Sequence, residues 1–188
     1  MQWNPDILKA MSWRKFEEFC AAYLQIKGLI TQVSPPANDQ GVDIILYKAG
    51  FEGVYSIAQC KRYTDNYIDV SEISKFLGSI VIKNIKSGYF LTTSQFSERA
   101  KQFVGNLKDY KIILIDGNSL SNQLNKLDNN QQMPLISLLE SSISEPDVPI
   151  CEICGSMMVK RPNINGNGYF WGCSSYATTG CRFKISIV

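Results

Sequence analysis

Residues 39–63 read DQGVDIILYKAGFEGVYSIAQCKRY, and this stretch decides the fold. Two runs within it, 42–47 and 54–59, are rich in β-branched and aromatic residues. Ala49, Gly50 and Gly53 punctuate them, which is a hairpin signature. Side chains alternate along a strand, so Gln59 and Lys61 share one face while Ala58 and Cys60 take the other. An antiparallel partner strand that carries Asp43 then brings a carboxylate beside an amide and an ammonium.

Working outward, Trp13, Phe16, Phe19, Cys20, Tyr23 and Leu24 recur at helical spacing behind a Ser12 cap, and Gly28 closes that helix. A first strand is expected over 29–34, ending at Pro35 and Pro36. Beyond the hairpin, Ile73, Phe76, Leu77, Ile80 and Val81 mark an amphipathic helix, with Asp69 and Glu72 spaced as a capping box. Strands follow at 89–92 and 111–115, the second stopped by Asp116-Gly117. Between them Phe96, Ala100, Phe103, Val104 and Leu107 give a helix, and Leu120, Leu124 and Leu127 a short closing one. The order α-β-β-β-α-β-α-β-α implies an α/β fold with a central mixed sheet flanked by helices. This domain is expected over 1–128. A linker over 129–149, with a short helix at 135–143, leads to a small cysteine-bearing module over 150–188.

The chain has 188 residues and is 45% apolar, enough for one ordinary core plus a small module. No apolar run reaches the roughly 18 residues a membrane span needs. The start, MQWNPDILKAMSW, lacks a basic segment followed by an apolar one, so a cytoplasmic protein is the default expectation. Net charge is only +2, but Lys160, Arg161, Arg182 and Lys184 against Glu152 give the tail +3 and leave the remainder at −1. A basic module on a near-neutral body suits phosphate binding. Histidine is absent, which removes serine–histidine triads, histidine-based zinc hydrolases and nucleases with a histidine base.

Carboxylate, lysine and metal remain. Phosphodiester cleavage needs a nucleophilic water, charge relief on phosphoryl oxygens and stabilisation of the leaving oxygen, and a magnesium ion on one or two carboxylates provides much of this. Asp43 would anchor the metal, and the Cys60 carbonyl could add a backbone ligand. Lys61 would orient or activate the water and stabilise developing charge. Gln59 could bind metal through its amide oxygen or fix the water network. Of the helix carboxylates, Glu17 borders the apolar stripe and Glu18 points nearly opposite, so Glu17 is the better second ligand. Asp39 is either a further metal contact or loop decoration. Thr92, Thr93 and Ser94 could contact phosphate or simply cap the next helix.

Residues 12–127 resemble the Mrr-type restriction endonuclease family, within the PD-(D/E)xK nucleases. The matching stretches are SWRKFEEFCAAYL, NDQGVDIILY, AQCKRY, GYFLTTSQFSERAKQF and IILIDGNSL. The resemblance implies an α-β-β-β-α-β core and DNA cleavage with a divalent metal, magnesium or manganese. It places the active-site acid on Asp43, the glutamine-x-lysine pair on Gln59 and Lys61, and the helix glutamate on Glu17. Val42 replaces the proline of the broader PD pair and Gln59 its second acid, both ordinary for Mrr-like members.

Cys151, Cys154, Cys173 and Cys181 form C-x2-C-x18-C-x7-C, the spacing of a tetrahedral thiolate site for one structural zinc. Cys20 and Cys60 read as buried thiols of the main domain. Residues 151–183, CEICGSMMVKRPNINGNGYFWGCSSYATTGCRF, resemble the C-terminal zinc fingers of bacterial type IA topoisomerases, which implies a ribbon-like finger that binds single-stranded DNA. Lys160, Arg161, Arg182 and Lys184 would meet the backbone. Tyr169, Phe170, Trp171, Tyr176 and Phe183 could stack on bases, with Tyr169 and Trp171 taken as the DNA-binding pair, and some of the five must instead form the finger's own small core. Phe170 and Trp171 fall on opposite strand faces.

The expected function is a metal-dependent DNA endonuclease, in defence against foreign or modified DNA, whose finger holds the substrate. Cutting both strands would need two sites, hence a homodimer on DNA. The alternatives are a repair or junction-processing nuclease, and a DNA-binding module without catalysis.

Overall fold

The computed structural model describes residues 1–35, 41–63, 66–142, 148–149, 151–154, 156, 158–163 and 168–186. They form two compact units, Met1–Glu145 and Pro146–Val188.

In the first unit, α1 (Pro5–Lys9) starts where the Asn4 side chain accepts from the Ile7 amide at 3.0 Å and Pro5 fills the first helical position. α2 (Trp13–Ile26) is capped by Ser12, as its spacing predicts, and Gly28 follows it at φ +86°. β1 (Ile30–Val33), β2 (Ile44–Tyr47) and β3 (Ser56–Lys61) come next. The first hairpin strand begins two residues later than expected and ends at Tyr47 as expected, while the second sits two residues later throughout, so Gln59, Cys60 and Lys61 all lie within β3. The helices α3 (Val70–Ile82), α4 (Glu98–Gly105), α5 (Gly117–Leu124) and α6 (Asn129–Ser142) alternate with β4 (Ser87–Thr92) and β5 (Lys111–Ile115).

The sheet order is β1-β2-β3-β4-β5, antiparallel from β1 to β3 and parallel from β3 to β5, a mixed sheet. Alternation along β3 divides the core in two. Ala58 and Cys60 pack with α2, α5 and α6, while Ile57 packs with α3 and α4. The sheet is therefore covered by helices on both faces.

Two expectations change. Asp69 begins α3, but no capping box forms: its carboxylate accepts from Ser97 Oγ at 2.8 Å, and Glu72 accepts from Tyr63 Oη at 2.8 Å. Ser97 is itself the cap of α4, so the pair ties two helix starts together. The stretch expected as a linker holds a longer helix than the expected 135–143. Its first two-thirds are α6, which buries Leu135 and Leu139 in the main core, and Gln132 accepts from Trp3 Nε1 at 3.0 Å. Ile143 and Pro146 lie outside the described residues.

Gly117 opens α5 directly against the turn after β4. A Cβ there would sit 2.3 Å from the Thr93 carbonyl oxygen, a backbone atom that cannot swing aside. Gly117→Ala is expected to cost about 1–3 kcal/mol or more through overpacking. A denaturation curve should show a lower midpoint with unchanged slope.

The second unit is a three-stranded antiparallel sheet, β6 (Met158–Pro162), β7 (Tyr169–Cys173) and β8 (Lys184–Ser186), with α7 (Tyr176–Thr179) between the last two strands. Among the described residues, no helix is long and apolar enough to cross a membrane.

Candidate active site

Antiparallel pairing of Ile44 with Ala58 sets Asp43 against the end of β3. One carboxylate oxygen of Asp43 accepts two hydrogen bonds, from Gln59 Nε2 at 2.6 Å and from the Cys60 amide at 2.6 Å. Two donors on one anionic oxygen fix its position with charge-assisted bonds. Asp43 and Gln59 are buried, at 2% and 6% exposure, and Lys61 is half-buried. Alternation places Lys61 on the same face as Gln59, towards α3.

Gly41 makes room for this arrangement. It lies at φ +76°, and a Cβ would come within 3.3 Å of Gln59 Oε1. Its left-handed backbone alone favours glycine.

Glu17 approaches from the α2 side and is 1% exposed. Arg14 Nη1 donates to Glu17 Oε2 at 3.0 Å and to the Ser34 carbonyl at 2.9 Å, binding the first turn of α2 to the end of β1. The sequence reading missed Arg14, although its position three residues before Glu17 on a helix is the signal that could have found it. Burial pushes the Cys60 thiol well above its ordinary range. The adjoining Cys20 thiol and the charges of Asp43 and Glu17 push it the same way. Asp43 and Glu17 are both buried carboxylates, and oxygen donors of this kind fit a hard divalent ion.

The hydroxyls at the end of β4 bond within the protein. Thr93 Oγ1 donates to the Tyr63 carbonyl and accepts from its amide, Thr92 Oγ1 accepts from the Ser94 amide, and Ser94 Oγ donates to the Asn66 carbonyl. The cap of α4 is Ser97 rather than any of these three. Asp39 lies outside the described residues.

The Mrr_cat family model, a restriction endonuclease domain, matches residues 8–124. The chain belongs to the Mrr restriction endonuclease family. A curated relative, the type IV methyl-directed restriction enzyme EcoKMrr of Escherichia coli, is 36% identical over 85 residues, covering 44% of this chain and 26% of that protein. Two solved restriction endonucleases share the fold. MspJI, solved with a 27-mer oligonucleotide, superposes with a TM-score of 0.51 at 18% identity, over 70% of this chain and 32% of its own. The modification-dependent AspBHI gives 0.50 at 22% identity, over 66% and 34%. This Mrr-family chain therefore spans about a quarter of its curated relative and about a third of either structure.

The Mrr-family chain carries a second constellation in its tail unit. The Sγ atoms of Cys151, Cys154, Cys173 and Cys181 all lie within 4.8 Å of one another. Cys151 and Cys181 are 3.6 Å apart, Cys154 and Cys173 3.3 Å. A disulfide would need about 2.05 Å, whereas a tetrahedral thiolate site with 2.3 Å bonds has sulfurs about 3.8 Å apart. The four thiols fit a metal. They do not ionise alike: the Ser156 hydroxyl leads in holding Cys154 down at about 6, while burial pushes Cys173 up to about 12.

Strand register divides the expected DNA contacts between two faces. Met158 pairs with Cys173 and Lys160 with Trp171, so Lys160, Tyr169 and Trp171 share the face of the cysteines. Trp171 packs on that small core, and Lys160 Nζ lies 4.7 Å from the centre of the exposed Tyr169 ring. Arg161 and Lys184 stand on the opposite face with Phe170, and the stem of Arg161 runs across Gly172. Arg182 is exposed between α7 and β8.

Proposed function

We propose that the chain is a divalent-metal-dependent endodeoxyribonuclease that restricts foreign or modified DNA, working in the cytoplasm. The observation that carries this reading is the Asp43 carboxylate that accepts two hydrogen bonds beside Gln59, which is itself two residues from Lys61 on β3, together with the buried Glu17 of α2. Asp43, Glu17 and the Cys60 carbonyl would hold magnesium or manganese. When bound, that ion supplies charge relief at the phosphoryl oxygens and lowers the pKa of water.

The protein's own groups have separable roles. Gln59 and the Cys60 amide hold the Asp43 carboxylate in one orientation. Lys61 places a cation where charge develops on the phosphate and positions the attacking water. Arg14 restrains Glu17 on α2. We assign the four cysteines to one structural zinc, and the tail unit, with Lys160, Arg161, Tyr169, Trp171, Arg182 and Lys184, to DNA binding. A double-strand break would require two copies of the chain on DNA.

Incubation of the purified chain with supercoiled plasmid, methylated and unmethylated, tests the reading. Cleavage is expected with magnesium and not with chelator, and a methylated-only result supports restriction of modified DNA. Preference for branched over plasmid substrates would redirect the assignment to junction processing. Absence of cleavage on all of them would leave a binding module.

A further inference from the structure

The far ends of β3, β4 and β5 form one edge of the sheet. Lys61 pairs with Thr92 at the end of β3, the Thr93 amide donates to the Lys61 carbonyl at 3.2 Å, and the Gly117 amide donates to the Ser94 carbonyl at 2.9 Å. Beside this row opens a hollow of about 380 Å³, bounded by α1, the turn after β4, the start of α5 and Tyr67. Its walls include Lys9, Asp6, Tyr67, Ser94, Gln95 and Asn118. None of these residues has a part in the cleavage scheme above.

Lys9 is locked next to the site. Arg62, the residue after Lys61, donates from Nη1 to the Lys9 carbonyl at 2.9 Å. The Lys9 ammonium meets Asp6 at only 3.7 Å, and Asp6 is 90% exposed, so this pair is a weak surface contact that leaves the cation able to take another anion. Strands lie about 4.8 Å apart, which puts the hollow one or two strand spacings, about 5–10 Å, from the strand of Lys61. Neighbouring phosphates of one DNA strand wind around the helix as they advance, so their direct separation, on the order of 7 Å, exceeds the axial rise of about 3.4 Å. The hollow thus stands about one phosphate from the scissile position.

An extruded base would need an enclosing aromatic pocket. Here the lining is mostly polar, the hollow is open, and Tyr67, the one aromatic among its described lining residues, stands 62% exposed at the rim. We infer that this hollow binds a backbone phosphate of the cleaved DNA strand next to the scissile one, with Lys9 as its cation and Asn118, Gln95 and Tyr67 as polar contacts. The inference rests on the nuclease reading for which phosphate is scissile, but not for the binding itself.

The test is equilibrium binding of a short labelled DNA duplex across a salt series, in an Asp43→Ala background without magnesium so that no strand is cut. Lys9→Ala is expected to weaken binding alike across sequences and to reduce the slope of log affinity against log salt by about 0.9. Lys9→Arg should keep both. Lys108, exposed beyond the opposite end of β5, is the control, and Lys108→Ala should leave the slope unchanged. Asn118→Asp puts a carboxylate on an exposed wall of the hollow and should weaken binding several-fold even if Lys9→Ala fails to fold. An unaltered slope in Lys9→Ala, an equal fall in Lys108→Ala, or full affinity in Asn118→Asp would overturn the inference. Cutting by the Asp43→Ala chain once magnesium is added would instead sink the catalytic assignment and leave the salt comparison standing.

Discussion

Asp43→Ala is expected to lower plasmid cleavage by at least about 10³-fold, some 4 kcal/mol of transition-state stabilisation. The substitution removes the carboxylate that the hairpin is built to hold. It also strands Gln59 Nε2 and the Cys60 amide, both bonded to the same oxygen. Buried donors without acceptors cost about 1–3 kcal/mol each, so part of the effect could reflect stability. Asp43→Asn separates the two. It keeps an acceptor oxygen while deleting the charge, and should melt nearer the parent yet cleave no better than Asp43→Ala. DNA binding without metal should survive in both, because a negative charge has been taken from a phosphate-facing site. Lys61→Ala should lose about 10²–10³-fold for the missing charge at the reacting phosphate. Parent-like cutting by purified Asp43→Asn would defeat the assignment outright.

Cys151→Ser should empty the tail unit of its metal. Zinc binding to such sites is worth about 10–16 kcal/mol near neutral pH, and a unit this small has too little apolar core to fold without it. Its buried apolar centre is essentially Met158 and the cysteines themselves, with Trp171, Phe183 and Ile185 packed around them. Zinc per chain is therefore expected to fall from one to none, with loss of the tail's ordered signals in an NMR spectrum. The first unit, whose two core clusters are made of its own residues, should keep its melting transition. Stoichiometric zinc in the purified variant would refute the four-cysteine site.

Much of the first unit could be read from local pattern. The stripe from Trp13 to Leu24 and its Ser12 cap are short-range features, and α2 follows them. The hairpin's punctuation set the antiparallel pairing that brings Asp43 to Gln59. Where tertiary partners compete, local pattern misled. Asp69 and Glu72 have capping-box spacing, but Ser97 and Tyr63 from distant segments take their carboxylates. α6 contains Pro134 and has weak amphipathicity, so its role depends on docking against α2 rather than on its own sequence. In the tail, alternation separated Phe170 from Trp171, but only the Met158–Cys173 register decides which of them lies over the cysteines.

The clasp between Trp3 and the end of the first unit has a bearing on how the protein is born. Trp3 donates its backbone amide to Asn125 Oδ1 at 2.8 Å and its indole to Gln132, partners 122 and 129 residues downstream. Ribosomes add roughly 5–20 residues per second, so the N-terminal segment waits on the order of ten seconds for its partners to emerge. Helix α2, which carries Glu17, likewise lacks the face of α6 until then. The core of the first unit therefore closes only late in synthesis, although Arg14 can already tie Glu17 to Ser34 once β1 has emerged.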